Sequence, residues 1–229
     1  MNIVAIIPAR SGSKSVYKKN IASFNESPLI SYTIKQARAT KFNIPVYVTS
    51  DCQEILSIAE TYGAIPILRP DNISGDYSTS ESALIHAIEK IEKETQRNVD
   101  ICVFLQATSP LREVSDIENA ISKLLIENLD SVFSASVLED FLIWKNENEV
   151  LQSVNYDYKN RKRRQDSEKQ YVENGSIYVT KRDLLIKNAN RLCGKIGASL
   201  MDSWKSYEID SYEDLEICEM IYKSKLCKK

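Results

Sequence analysis

The sequence predicts an α/β fold, a three-layer α/β/α sandwich around a mostly parallel sheet. Short apolar runs rich in β-branched residues recur up to residue 135, as strands covered on both faces require. Stretches with apolar residues at helical spacing separate them. Strand–helix alternation of this kind implies parallel strands joined by crossover helices. After an interruption the rhythm returns, and the chain closes on an amphipathic helix.

The first strand is Ile3–Ile7, an apolar run that empties into Pro8-Ala9-Arg10-Ser11-Gly12-Ser13-Lys14 and then Lys18-Lys19-Asn20. Pro28–Ala39 reads as a helix with proline in its first turn. Val46–Thr49 is the second strand. Asp51–Tyr62 follows as a helix, with Asp51 read as its cap and Gly63 as its stop. Ile65–Leu68 is a strand. Ser78–Glu94 carries Leu84, Ile85, Ile88 and Ile91 on one helical face. Ile101–Leu105 is the next strand, and Ser115–Glu127 places Ile117, Ile121, Leu124 and Leu125 together. Ser131–Ser136 is the next strand. The polar, charge-rich segment 137–172 breaks the pattern, with Lys159–Arg164 nearly all basic and Phe141, Leu142, Ile143 and Trp144 apolar. It reads either as a solvated loop or as an arm over an anionic site, packed in part on something else. Strands are then expected at Ser176–Thr180, Ala198–Met201 and Ser206–Ile209, and the last helix at Ser211–Tyr222.

A chain of 229 residues suits one domain, 1–229, with 137–172 inserted as an arm, and it can bury a core without disulfides. The formal net charge of −2 argues against a nucleic-acid-coating protein. Five cysteines, an odd number and none in CxxC spacing, read as free thiols in a reducing cytoplasm. No signal-peptide pattern and no apolar run of about 18 residues is present, so neither secretion nor membrane insertion is expected. With a single histidine, His86, a histidine metal site or a Ser-His-Asp triad has no basis, and His86 reads as a surface or packing residue.

Chemistry is expected at the carboxyl ends of the strands, where ligands of open α/β sheets bind. The loop after the first strand combines small residues with cations. Folded back, it could aim Arg10, Lys14 and Lys19 at one triphosphate, although neither GxxxxGK[ST] nor GxGxxG occurs. The loop Gln106-Ala107-Thr108-Ser109-Pro110-Leu111-Arg112 leaves the same side of the sheet. Gln106 could bind a sugar or base and Arg112 an anion, or the stretch could be turn and capping chemistry alone. Glu208 and Asp210, two apart in an expected strand, would project from one face and suit a divalent cation. Alternatively Asp210 or Ser211 caps the last helix.

Taken together, these motifs resemble the acylneuraminate cytidylyltransferases. Arg10-x-Gly12-Ser13-Lys14-x₄-Lys19-Asn20 is similar to that family's signature. Arg69-Pro70 with Asp76–Ser80, then Gln106–Arg112, Asn174–Tyr178 and Glu208-Ile209-Asp210, follow in the family's order along nearly the whole chain. The resemblance implies a nucleotide-diphospho-sugar transferase fold and a Mg²⁺-dependent reaction of CTP with a nonulosonic acid, giving a CMP-sugar and pyrophosphate. It implies that Arg10, Lys14, Lys19 and Asp210 are catalytic. Arg10, Gly12, Ser13, Lys14, Lys19 and Asn20 would hold the triphosphate, and Arg69 and Ser80 would read the cytosine. Gln106, Arg164 and Asn174 would contact the sugar, and Asp210 with Glu208 would bind the metal. The arm would form a homodimer contact. Ser15, Tyr17, Ala107 and Glu208 stand where the family usually has glycine, proline, proline and aspartate. N-acylneuraminate is the first expected sugar. Legionaminate, pseudaminate or Kdo activation are the alternatives within the class, and a non-catalytic nucleotide-binding regulator is the alternative outside it.

Overall fold

The computed structural model describes residues 1–13, 15–138, 141–166 and 168–227, with the Arg164 side chain also outside the description. Strand β1 (Ile3–Pro8) leads through a minimal hairpin, β2 (Ser23–Phe24) and β3 (Ser27–Pro28), into helix α1 (Leu29–Arg38). Then come β4 (Val46–Ser50), α2 (Gln53–Thr61), β5 (Ile65–Leu68), α3 (Ser80–Thr95), β6 (Ile101–Leu105), α4 (Val114–Ile126) and β7 (Ser131–Val137). A second hairpin, β8 (Trp144–Glu147) and β9 (Val150–Ser153), occupies the arm. The chain finishes with β10 (Tyr171–Lys181), α5 (Arg182–Asn188), β11 (Ile196–Leu200) and α6 (Tyr212–Lys225).

One seven-stranded sheet carries the fold, in the order β11-β7-β10-β6-β1-β4-β5. β10 alone runs antiparallel to its neighbours, β6 and β7. Alternation along the strands sorts side chains into two layers. Ile3, Ala5 and Ile7 of β1 join α1, α2 and α4 through Ile34, Leu56 and Ile121. Val4 and Ile6 face the other way, onto Leu84 and Ile88 of α3 and Leu185 of α5. This period of two in strands whose faces are both covered produces the continuous apolar runs seen in the sequence. A third cluster joins Phe24, Leu29, Leu111 and Ile209 to Cys218 of α6. No helix among the described residues is long and apolar enough to cross a membrane.

One helix start differs from expectation, and another settles an alternative. α2 begins at Gln53, with Cys52 in the cap position and no side-chain cap bond. Asp51 is therefore not its cap, because its carboxylate is engaged elsewhere. α6 is capped by Ser211, which forms a reciprocal capping box with Asp214. That arrangement leaves the Asp210 side chain available. The expected strand at Ser206–Ile209 is absent: a 3₁₀ turn at Ser203–Ser206 precedes an extended stretch. The only ladder-like contact there is Ile209 N–H to Thr108 O at 2.9 Å. Helix α5 and both hairpins were not expected, since each is too short for a periodic signal.

Candidate active site

The sheet order reverses between β1 and β6. From β1 the chain moves outward through β4 and β5, then returns to β6 on the other side of β1. Loops leaving these two carboxyl ends diverge and open a crevice. A cavity of about 520 Å³ lies in it. Arg10, Gly12, Ser13, Lys19 and Asn20 line it from the β1 loop, Arg69 from the end of β5, and Asp76 and Ser80 from the approach to α3. Phe104, Gln106 and Thr108 complete it from β6 and the loop beyond, and Asp210 from the segment before α6.

The basic loop is held in its folded-back path by two side chains. Asn20 Nδ2 donates to Arg10 O at 2.9 Å. Asp51, on the adjoining β4 end, accepts from Ser11 N–H at 2.9 Å and from Ser11 Oγ at 2.5 Å. The same carboxylate stands 3.8 Å from Arg69 Nη2. Burial pushes the Asp51 pKa up, but the Ser11 hydroxyl and amide and the Arg69 charge outweigh it, and the net shift is downward. Asp51 thus ties the β1 loop to Arg69. Sequence reading assigned it to helix capping; its position after a strand on the same side as the basic loop was the available signal.

Arg69 is almost fully buried, and its Nε and Nη2 have no hydrogen-bond partner among the described residues. Burial lowers its pKa, with Asp51 opposing and Arg10 adding to the effect. Unpaired buried donors on a cavity wall are completed by a ligand that brings acceptors. Arg10 Nη1 lies 3.4 Å from Asp76 Oδ1. Lys19 Nζ bonds Asp210 Oδ1 at 2.7 Å. Lys14 lies outside the described residues, and so does the Arg164 side chain.

The two acids behave differently. Asp210 is exposed on the cavity wall beside the cations. Glu208 does not line the cavity. Its Oε1 accepts from Thr108 Oγ1 at 2.5 Å. Burial is the largest influence on its pKa and raises it; Thr108 pulls the other way, and Asp210 adds to the rise. A Mg²⁺ ion that shares substrate phosphates needs only one or two carboxylates. The donor set fits such an ion through Asp210. Among the described residues no three His, Cys, Asp or Glu side chains converge on a self-sufficient metal cage.

Arg112 does not line the cavity. It is 1% exposed, and its guanidinium reaches Ser176 O at 2.5 Å, Thr33 Oγ1 at 2.7 Å, Gln36 Oε1 at 3.1 Å and the Gln106 carbonyl. It buttresses the end of β6 from below. Asn174 also turns inward: Oδ1 accepts from Ser134 Oγ at 2.5 Å, and Nδ2 lies 3.5 Å from Ser206 Oγ. It sits at a register shift in β10 and does not line the cavity. Lys205, buried against Asp116 at 2.8 Å and Glu113 at 2.9 Å, clamps the turn before Glu208 onto the start of α4. Thr108 and Phe104 were missed as wall residues, although both flank the Gln106 singled out in the sequence.

A doubly wound sheet with a cationic cavity at its switch point defines a ligand-binding α/β protein whose site suits an anion. The solved structure of CMP:2-keto-3-deoxy-manno-octonic acid synthetase complexed with CTP superposes with a TM-score of 0.74 over 99% of this chain and all of the other, at 16% identity. That of 4-diphosphocytidyl-2C-methyl-D-erythritol synthase from Anaerococcus prevotii does so at 0.69 over 97% of this chain and 98% of the other, at 12% identity. The chain belongs to the cytidylyltransferase family, whose model matches residues 4–228. It is 32% identical to a pseudaminic acid cytidylyltransferase of Campylobacter jejuni over 97% of both chains. It is 29% identical to the N-acylneuraminate cytidylyltransferase of Escherichia coli O18:K1:H7, covering 97% of this chain and 52% of that one.

Proposed function

We propose that the chain transfers CMP from CTP to the anomeric hydroxyl of a nonulosonic acid and releases pyrophosphate. The observation that carries this reading is the convergence of Arg10, Lys19, Arg69 and Asp210 on one cavity in a chain of this family. The hydroxyl oxygen attacks the α-phosphorus in line, the bond to the β-phosphate oxygen breaks, and pyrophosphate leaves. Arg10, Lys19 and the amides around Gly12 and Ser13, with Lys14 and Asn20, hold the triphosphate and offset the charge that builds on the leaving group. Arg69 and Ser80 face the cytosine. Gln106 and Thr108 face the sugar, and the family resemblance assigns Arg164 to it as well. Asp210 would hold Mg²⁺, which would supply positive charge to the substrate phosphates and acidify the attacking hydroxyl.

Identity of 32% with the pseudaminic acid enzyme, against 29% with the N-acylneuraminate enzyme, supports pseudaminic acid as the sugar. Exposed apolar residues in 141–154 support a homodimer built through the arm. Free cysteines and the use of CTP support a cytoplasmic site of action. The test is pyrophosphate release from CTP and Mg²⁺ with pseudaminic, N-acetylneuraminic, legionaminic and Kdo acids, with product mass spectrometry. A CMP-sugar with one of them is expected. CTP binding without turnover on any would overturn the reading in favour of a non-catalytic regulator.

A further inference from the structure

Glu208 occupies the position that sequence reading paired with Asp210 as a metal ligand, yet it reaches the opposite group of residues. Its Oε1 accepts from the Thr108 hydroxyl at 2.5 Å. In the orientation that satisfies the Gln106 amide, the amide nitrogen donates to the same Oε1 at 2.9 Å and to Gly175 O at 3.0 Å. Glu208 Oε2 packs against Gly175, where a Cβ would lie 3.3 Å from it and 2.9 Å from the Gln106 side chain. Gly175 has φ of +70°, so the close approach and the backbone conformation both call for glycine.

The hydrogen-bond inventory of these groups is limited. A primary amide has two N–H donors, and both from Gln106 are taken by Glu208 and Gly175. A threonine hydroxyl has one proton, and Thr108 gives its proton to Glu208. Gln106 is locked at the backbone as well, by its N–H to Ser176 O at 3.3 Å and by the Arg112 guanidinium on its carbonyl. Each side chain therefore offers the cavity an acceptor and no donor. This rests on the reading of the cavity proposed above.

We infer that Glu208 is a positioning residue that turns the Gln106–Thr108 wall into a hydrogen-bond-acceptor surface, which takes the hydroxyl or acylamino N–H groups of the sugar acid. The cavity is thereby divided. Anions belong against Arg10 and Lys19. A carboxylate placed against Gln106 and Thr108 would meet only acceptors, with the Glu208 charge behind them. The sugar is orientated with its carboxylate on the cationic side and its donors on the acceptor wall. The extra methylene of glutamate supplies the reach to Thr108 and Gln106.

The experiment compares wild type with Glu208→Gln, Glu208→Asp and Thr108→Val, in the full-length protein. It measures KM for the sugar acid, KM for CTP and the half-saturating Mg²⁺, and separately titrates Mg²⁺ into the CTP complex by calorimetry without sugar. The expected result is a sugar KM raised about tenfold in each variant, as for one lost charge-assisted hydrogen bond, with CTP and Mg²⁺ constants unchanged within about twofold. Weakened Mg²⁺ affinity in the calorimeter, or an unchanged sugar KM, would overturn the assignment. Thr108→Val leaves the carboxylate in place and keeps the test open should a Glu208 variant fold poorly. Wild type inactive on every sugar acid is a separate result: it removes the functional reading, and this inference with it.

Discussion

Lys19 and Asp210 stand 191 positions apart in the chain and meet at 2.7 Å on the wall of the cavity. The contact places the cations of the β1 loop and the acidic residue beside one cavity. Its geometry follows from two local facts. The β1 loop folds back through Asn20, and Ser211 caps α6 so that Asp210 need not. The pair is open to solvent on the acid side, with the Asp210 side chain 72% exposed, so it contributes little to stability. Its importance lies in what it presents to substrate.

Asp210→Ala is expected to cost about 10³-fold or more in kcat at ordinary Mg²⁺, as loss of a metal-binding charge does. The melting temperature should stay within about 3 °C of wild type, since the pair that is lost is open to solvent on the acid side. Steady-state kinetics beside a thermal melt check this. Near-normal turnover would refute the assignment of Asp210 to the metal.

Asp51→Ala should act on nucleotide binding. It frees Ser11 and leaves Arg69 without its nearby carboxylate, so KM for CTP should rise about tenfold with a smaller change in kcat. The stability effect has a defined sign in pH. The folded-state pKa lies below the ordinary aspartate value, so the carboxylate's contribution is present above about pH 4 and lost as pH falls through the depressed native value. Urea midpoints of wild type and variant should differ at pH 7 and draw together as the pH is lowered below about 4.

Arg112→Met should cost on the order of 3–5 kcal/mol, because it strips the partners from Ser176 O, Thr33 Oγ1 and the Gln106 carbonyl in a buried site. Arg112→Lys should recover only part, since an ammonium cannot match the guanidinium fork. Denaturant unfolding measures both. A loss below about 1 kcal/mol would mean that the β6 end does not depend on this residue.

The arm should mediate self-association. Phe141 is 74% and Leu151 64% exposed, and the Trp144 ring meets Tyr156 and Tyr158 of the same segment at centroid distances of 5.9 and 5.4 Å. Leu151→Glu is expected to shift a dimer toward monomer in sedimentation velocity at micromolar protein. A dimer of unchanged strength would place the interface elsewhere.

Periodicity and loop chemistry determined most of the frame. β1, β4, β5 and β6 lie within a residue of where apolar runs put them, and the loops after β1 and β6 carry Arg10, Lys19 and Gln106 into one cavity. Those signals are local: strand alternation, helical spacing and small cationic turns are written in consecutive residues. Partner choice is not. Whether Asp51 caps a helix or holds Ser11, whether Arg112 meets an anion or the carbonyl of Gln106, and whether Glu208 joins Asp210 or Thr108 each depend on groups brought close from distant positions. The antiparallel placement of β10 and the missing strand before α6 belong to the same class. A polar side chain takes whichever partner desolvation leaves within reach, and only the folded chain decides which one that is.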